Sequence, residues 1–137
     1  MTYAMGESLQ MAVYSRLAGD PGLDDLIHGA VFDAVPERAP DLFVAMGPEQ
    51  ARAQSDVSGA CSIHDIQLSV VTTREGYLAA KSVAGRVSDA LSSSALTLTR
   101  GRVVSLRFLR ARARRDKTQG TRRIDMWFRA HLDEELI

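Results

Sequence analysis

Cysteine occurs once in this 137-residue chain, at Cys61, so no internal disulfide is possible and a reducing compartment is the expectation. The N-terminus lacks the basic start and continuous apolar run of a secretory signal. No apolar run approaches the roughly 20 residues that cross a bilayer, so a membrane is not among the expected partners. Histidine is also scarce. His28, His64 and His131 fall on three different elements, none has a second ligand at a spacing such as HxxxH, and Cys61 has no CxxC partner. His64, on the apolar parity of a strand, is expected as a satisfied core or edge residue rather than a ligand. Cys61 and His64, three apart on a strand, point to opposite faces, which works against a nucleophile and base pair. Neither a P-loop nor a GxGxxG or GxSxG motif occurs, and there is no internal repeat or low-complexity tract. The chain is therefore expected to be no enzyme and to hold no cofactor or metal. Aromatic residues make up only 6%, too few for a protein that stacks bases of a single strand.

What remains is the composition of an ordinary globular domain, 45% hydrophobic and 25% charged, read here as one domain over 1–137. The formal net charge is zero, but the charge is segregated. Residues 1–99 carry a balance of −6, residues 100–129 one of +9, and residues 130–137 one of −3. Folding does not require such polarity. It points to a complementary surface elsewhere, such as another copy of the chain.

The chain is organised around residues 63–91. His64, Ile66, Leu68, Val70 and Thr72 alternate with Ile63, Asp65, Gln67, Ser69 and Val71, a period of two that predicts a half-buried strand. Tyr77, Ala80, Ala84, Val87 and Leu91 then recur at helical spacing. Thr72 or Thr73 is expected to cap this helix, with Glu75 in its first turn.

Before this unit, a helix is expected over 2–18, ended by Gly19-Asp20-Pro21-Gly22, then one helical turn over 23–28 and a brief strand over 30–35. Asp24-Asp25 reads as helix-start chemistry rather than as a catalytic carboxylate pair. DLFVAMG (41–47) predicts a short strand closed by Gly47-Pro48, and EQARAQSDVSGA (49–60), without a sustained period, a long loop or flexible arm. After the helix, a short strand edge is expected over 96–98. RVVSLRFLRARAR (102–114) puts Val104, Leu106, Phe108, Arg110, Arg112 and Arg114 in one parity, with the arginine half running past the core into solvent. Residues 121–132 alternate cleanly, Ile124, Met126, Phe128, Ala130 and Leu132 inward and Arg123, Asp125, Trp127, Arg129 and His131 outward. The expected architecture is α+β: a single domain with a mostly antiparallel sheet and two helices packed on one face.

The arginine ladder is the strongest compositional signal. It reads either as a solvated edge that discourages aggregation, or as a contact with phosphates or an acidic subunit, since the guanidinium fork serves both. Outward Trp127 is a candidate interface anchor.

The order of these pieces resembles the tail-completion, or tail terminator, proteins of long-tailed phages and gene transfer agents. Gly29-Ala30-Val31-Phe32-Asp33 and Pro40-Asp41-Leu42-Phe43-Val44-Ala45-Met46-Gly47 stand where that family has its two early strands. HDIQLSVVT, GYLAAKSVAGRVSDAL and the hairpin RRDKTQGTRRIDMWFRAHL follow in its order. Leu42-Phe43 after Pro40-Asp41 departs from the family's proline directly before an aromatic and a valine. The resemblance implies a structural virion assembly protein, a homo-hexameric ring at the head-proximal end of the tail tube. Such a ring stops tube polymerisation and joins the tail to the head connector or stopper protein, with DNA passing through it non-specifically. It implies residence in the bacterial cytoplasm during assembly and then in the neck or tail of the particle. The basic hairpin residues Arg110, Arg112, Arg114, Arg115, Lys117, Arg122 and Arg123 are then the candidate subunit or tube interface. Glu49, Gln50, Arg52, Gln54 and Asp56 form a candidate interface arm. The alternative is a small α+β protein that binds nucleic acid without sequence preference through the same hairpin.

Overall fold

Twelve consecutive residue pairs tie strand β3 (Cys61–Thr72) to strand β5 (Thr121–Asp133), antiparallel, from Cys61 opposite Asp133 to Thr72 opposite Arg122. The computed structural model describes residues 3–54 and 60–134, and in it these two strands are the middle of a five-stranded sheet. β2 (Leu42–Ala53) pairs antiparallel with β3, and β4 (Arg102–Asp116) forms the hairpin with β5. β1 (Val31–Phe32) adds two residues parallel to β2, giving the order β1-β2-β3-β5-β4. Helix α3 (Leu78–Ser92) carries the chain from β3 over β5 to β4, and it packs on all three strands. Helices α1 (Met5–Ala18) and α2 (Pro21–Ile27) pack against α3 on the same face. The α+β expectation holds, and the helical turn expected near 23–28 is a third helix.

The covered face is the core. Leu68, Val70, Ile124, Met126, Phe128, Ala130 and Leu132 meet Val83, Val87, Leu91, Leu9 and Val13, all essentially inaccessible. The helix ends explain the connections. Asp20 accepts a hydrogen bond from the Leu23 amide at 2.9 Å and Pro21 follows it, so the segment that ends α1 also starts α2. The Asp24-Asp25 pair lies inside α2, and Asp20 does the capping. Arg16 reaches from α1 to the end of α3, donating to the carbonyls of Ala90 (2.8 Å) and Ser94 (3.0 Å). Orphan carbonyls of the last helical turn are thereby satisfied.

Several boundaries differ from expectation. Thr72 does not cap α3, because it ends β3 and its hydroxyl donates to the Asp41 carbonyl at 2.7 Å while accepting from the Arg74 amide. α3 begins after Tyr77 without a side-chain cap, and Glu75 precedes its first turn. The strand expected over 30–35 is only Val31–Phe32, and residues 96–98 are not a strand, although Leu96 is buried. The loop expected over 49–60 is shorter. β2 does not close at Gly47-Pro48 but passes through it by a bulge, two residues against Gln67 alone, and pairs on to Ala53 opposite Ser62. Proline is tolerated at such a point because no ladder amide is needed there. A polar, aperiodic stretch gave no hint of this, since one edge of the distal strand faces no neighbour.

The largest correction concerns β4. It stays paired with β5 along its length, and it bulges twice, at Val104 and Leu109. Each bulge inserts one residue and exchanges the faces of all that follow. Leu106 and Phe108 therefore lie opposite Ala130 and Phe128 on the helix-covered face, whereas Arg110, Arg112 and Arg114 lie opposite Trp127, Asp125 and Arg123 on the other. The ladder does not run past the core. It crosses to the far side of the sheet.

The arginine face, a candidate interface

The helix-free face of the sheet collects charge from four strands. Register places on it Arg52 of β2, Asp65 of β3, Arg123, Asp125, Arg129 and Asp133 of β5, and Arg102, Arg107, Arg110, Arg112 and Arg114 of β4. Among the described residues that is eight arginines against three aspartates. Two of the cross-strand pairs, Arg107 opposite Arg129 and Arg114 opposite Arg123, set like charges face to face. Such pairs destabilise a sheet unless something neutralises them.

The aspartates do so. Asp125 accepts from Ser69 Oγ at 2.6 Å, from Arg123 Nε at 3.1 Å and from Arg114 Nε at 3.2 Å, so one carboxylate bridges the opposed pair. Burial alone would push this carboxyl up. The hydrogen bonds from Ser69 and Arg123, with the Arg123 charge and the Arg114 bond, outweigh burial and hold it below the ordinary aspartate range. Asp65 accepts from Arg129 Nε at 2.7 Å and from Nη2 at 3.0 Å, one bond to each carboxylate oxygen. The Arg129 hydrogen bonds hold its carboxyl low against burial, with help from the charges of Arg129, Arg52 and Arg107. Arg102 pairs with Asp133 at 2.9 Å. Four of the eight are left without an ion pair among the described residues, Arg52 on β2 and, in a line along β4, Arg107, Arg110 and Arg112. Arg110 lies over the Trp127 ring, its Cζ 4.1 Å from the centroid, a cation–π contact that fixes the guanidinium in place. Beside them is a groove of about 470 Å³ lined by Pro48, Gln50, Asp65, Gln67, Arg110, Trp127 and Arg129 among others.

The basic hairpin is thus two surfaces. Arg110, Arg112, Arg114, Arg123 and Trp127 share the arginine face, but Arg115 and Arg122 oppose one another on the helix-covered side and Lys117 sits in the turn. Arg122 donates to the Arg74 carbonyl at 3.3 Å and its Cζ lies 5.8 Å from the Tyr77 ring centre. The expected arm divides likewise. Gln50 and Arg52 face the arginine side, Gln54 follows the end of β2, and Asp56 lies outside the described residues. Sequence reasoning missed Arg102, Arg107 and Arg129. A list of outward residues on both strands would have included Arg107 and Arg129; Arg102 shares the parity of Val104 and gave no such signal.

Glu49 faces the other way, into a buried chain. His64 is fully inaccessible, with Nδ1 2.9 Å from Glu49 Oε1 and Nε2 3.0 Å from Ser62 Oγ. The order serine, histidine, carboxylate is that of a nucleophile relay. Here Ser62 is itself buried, and none of the described cavities opens on it, so the three satisfy one another inside the fold. Tyr3 stacks on the His64 ring at 6.0 Å, and its hydrogen bond to Glu49, with burial, holds the phenol above its ordinary range. Among the described residues, no three His, Cys, Asp or Glu side chains converge as metal ligands, and no helix is long and apolar enough to cross a membrane.

One face of the sheet is covered by helices, and the other carries arginines without an ion pair among the described residues. Residues 11–133 match the family described as tail completion protein gp17, and the chain belongs to that family. A solved chain in the virion of a native gene transfer agent particle is similar over 96% of this chain and 99% of its own length, at 46% identity and a TM-score of 0.88. No curated protein sequence matches. Family membership and this match together support a structural role in tail assembly.

Proposed function

We propose that the protein forms a homo-hexameric ring at the head-proximal end of a tail tube, stops tube polymerisation and joins the tail to the head connector or stopper. DNA passes through that ring, and the chain itself does no chemistry. It works in the cytoplasm of the producing bacterium during assembly and stays in the neck or tail of the particle. The observation that carries this reading is the line of Arg107, Arg110 and Arg112 on a face that no helix covers, without an ion pair among the described residues and with Arg110 held over Trp127. Solvated arginines of this density are costly to set side by side, and an acidic protein surface or a run of phosphates would offset the repulsion. A closed ring also needs two unlike surfaces on one chain, and the acidic N-terminal part and basic hairpin are unlike.

Deleting the gene and imaging the particles by negative-stain electron microscopy tests the proposal. Filled heads beside unattached tails, some with tubes of uncontrolled length, are the expected outcome. Intact particles from the deletion strain would overturn it and leave the arginine face to the competing reading, a free-standing protein that binds duplex non-specifically and loses it steeply with salt.

A further inference from the structure

The groove of about 470 Å³ on the open face runs across the strands rather than along them. Register sets Gln67 of β3, Trp127 of β5 and Arg110 of β4 in one row, with the β2 bulge at Pro48 at its head. Gln50, Asp65, Arg129 and Arg107 form the next row. Four strands at a spacing of roughly 4.8 Å make a trough about 14 Å long, room for about four residues of extended chain. Trp127, Pro48 and the bulged Leu109 give it apolar surface.

Its polar groups change from one end to the other. On β2 and β3 stand Gln50 and Gln67, whose side-chain amides can bond the N–H and C=O groups of a peptide backbone. In the middle, Arg129 takes both oxygens of Asp65, so that pair is neutral as a whole. At the β4 end, Arg107 and Arg110 make no ion pair among the described residues. Arg110 is already held over the Trp127 ring at 4.1 Å, so it loses little freedom when a carboxylate binds it. Charge then chooses the occupant. A nucleic-acid strand carries a charge on every unit and would set phosphates beside the Asp65 carboxylate, and its bases would find the Trp127 ring covered. A peptide can carry its carboxylates at one end and neutral residues over the rest. We infer that the trough takes an extended acidic segment of a partner protein, its carboxylates against Arg107 and Arg110 and its neutral residues laid across Trp127 toward Gln50. This rests on the tail-joining role proposed above and gives the chemistry of the partner that the arginine face meets.

Trp127 is the single tryptophan of the chain and lies in the trough, so its fluorescence reports an occupant. The intact chain is titrated with a short capped peptide of two glutamates followed by valines and alanines, with the same peptide carrying glutamine for glutamate, and with single-stranded and duplex oligonucleotides. The glutamate peptide is expected to shift the Trp127 emission saturably, and the glutamine peptide to bind about tenfold more weakly. Arg107→Gln does not touch the Arg110–Trp127 contact and is expected to weaken the glutamate peptide about tenfold. Arg115→Gln, on the helix-covered side, is expected to leave its binding unchanged. No saturable shift with the glutamate peptide, equal binding of the two peptides, or full affinity in Arg107→Gln would overturn the inference. Saturable binding of either oligonucleotide in preference to the glutamate peptide would assign the face to phosphates and overturn it as well. Particle images separate the inference from the role it rests on. Unattached tails in the deletion strain with no peptide binding would remove the acidic occupant and leave the role, and intact particles with peptide binding would do the reverse.

Discussion

Leu68, Val70, Ile124, Met126 and Phe128 share β3 and β5 with Asp65, Ser69, Arg123, Asp125 and Trp127, yet the two sets live under different rules. On the covered face these apolar residues are fixed by volume and water exclusion. On the open face the backbone is the same, but the side chains are set by charge: aspartates pair with the arginines that collide, while Arg107, Arg110 and Arg112 make no ion pair among the described residues. Buried volume on one face and bridging aspartates on the other hold the fold, while Arg107, Arg110 and Arg112, which the proposed function uses for contact, make no ion pair among the described residues.

That division can be broken in three ways. Phe128→Ala removes a fully buried ring at the centre of the covered face, and a loss of about 3–5 kcal/mol is expected in urea unfolding. A loss below about 1 kcal/mol would mean the covered face is not where stability resides. Asp125→Asn keeps the shape but removes the charge that bridges Arg114 and Arg123, with an expected loss of about 2 kcal/mol at pH 7. Its pH dependence sharpens the case. The folded carboxyl titrates below its ordinary value of 3.8, so its stabilisation is present above 3.8 and disappears as pH falls through the lower folded value. The gap between wild type and variant should therefore close on acidification below 3.8, and a gap that persists would mean the carboxylate charge is not what stabilises. The smallest stability effect is expected from Arg110→Glu with Arg112→Glu, within about 0.5 kcal/mol, because neither has a carboxylate partner among the described residues. The same double variant is expected to leave heads and tails unjoined in electron micrographs. Normal particle yield would show that the open face makes no essential contact.

Much of this was legible in the sequence. β3 and β5 declare their faces because both run without a bulge, so parity counted from Ile63 or Ile124 stays true to the end. α3 was visible from its alanine-rich stripe, and the order of elements sufficed for the family. What could not be read was wherever one residue is inserted. Parity assigned Arg110, Arg112 and Arg114 to the face of Leu106 and Phe108 because a bulge at Leu109 has no signature among such residues. The distal half of β2 was hidden for the same reason, with Gly47-Pro48 reading as an end when it is a step. Glu49 then reads as an arm residue, which conceals its partnership with His64. The division of the arginines into neutralised and unpaired is also beyond reach, since Asp65 finds Arg129 and Asp125 finds Arg114 across strands.

The bulges also bear on how such a face can change by descent. Where alternation alone decides which side chains meet the partner, a substitution alters one contact. Loss or gain of a single codon at Leu109 would transfer every later residue of β4 to the opposite side, arginines inward and alanines outward. For this strand the reading-frame-preserving indel is the large mutational step and the point substitution the small one. Lineages should therefore vary freely in which residues they carry along β4 and hardly at all in how many.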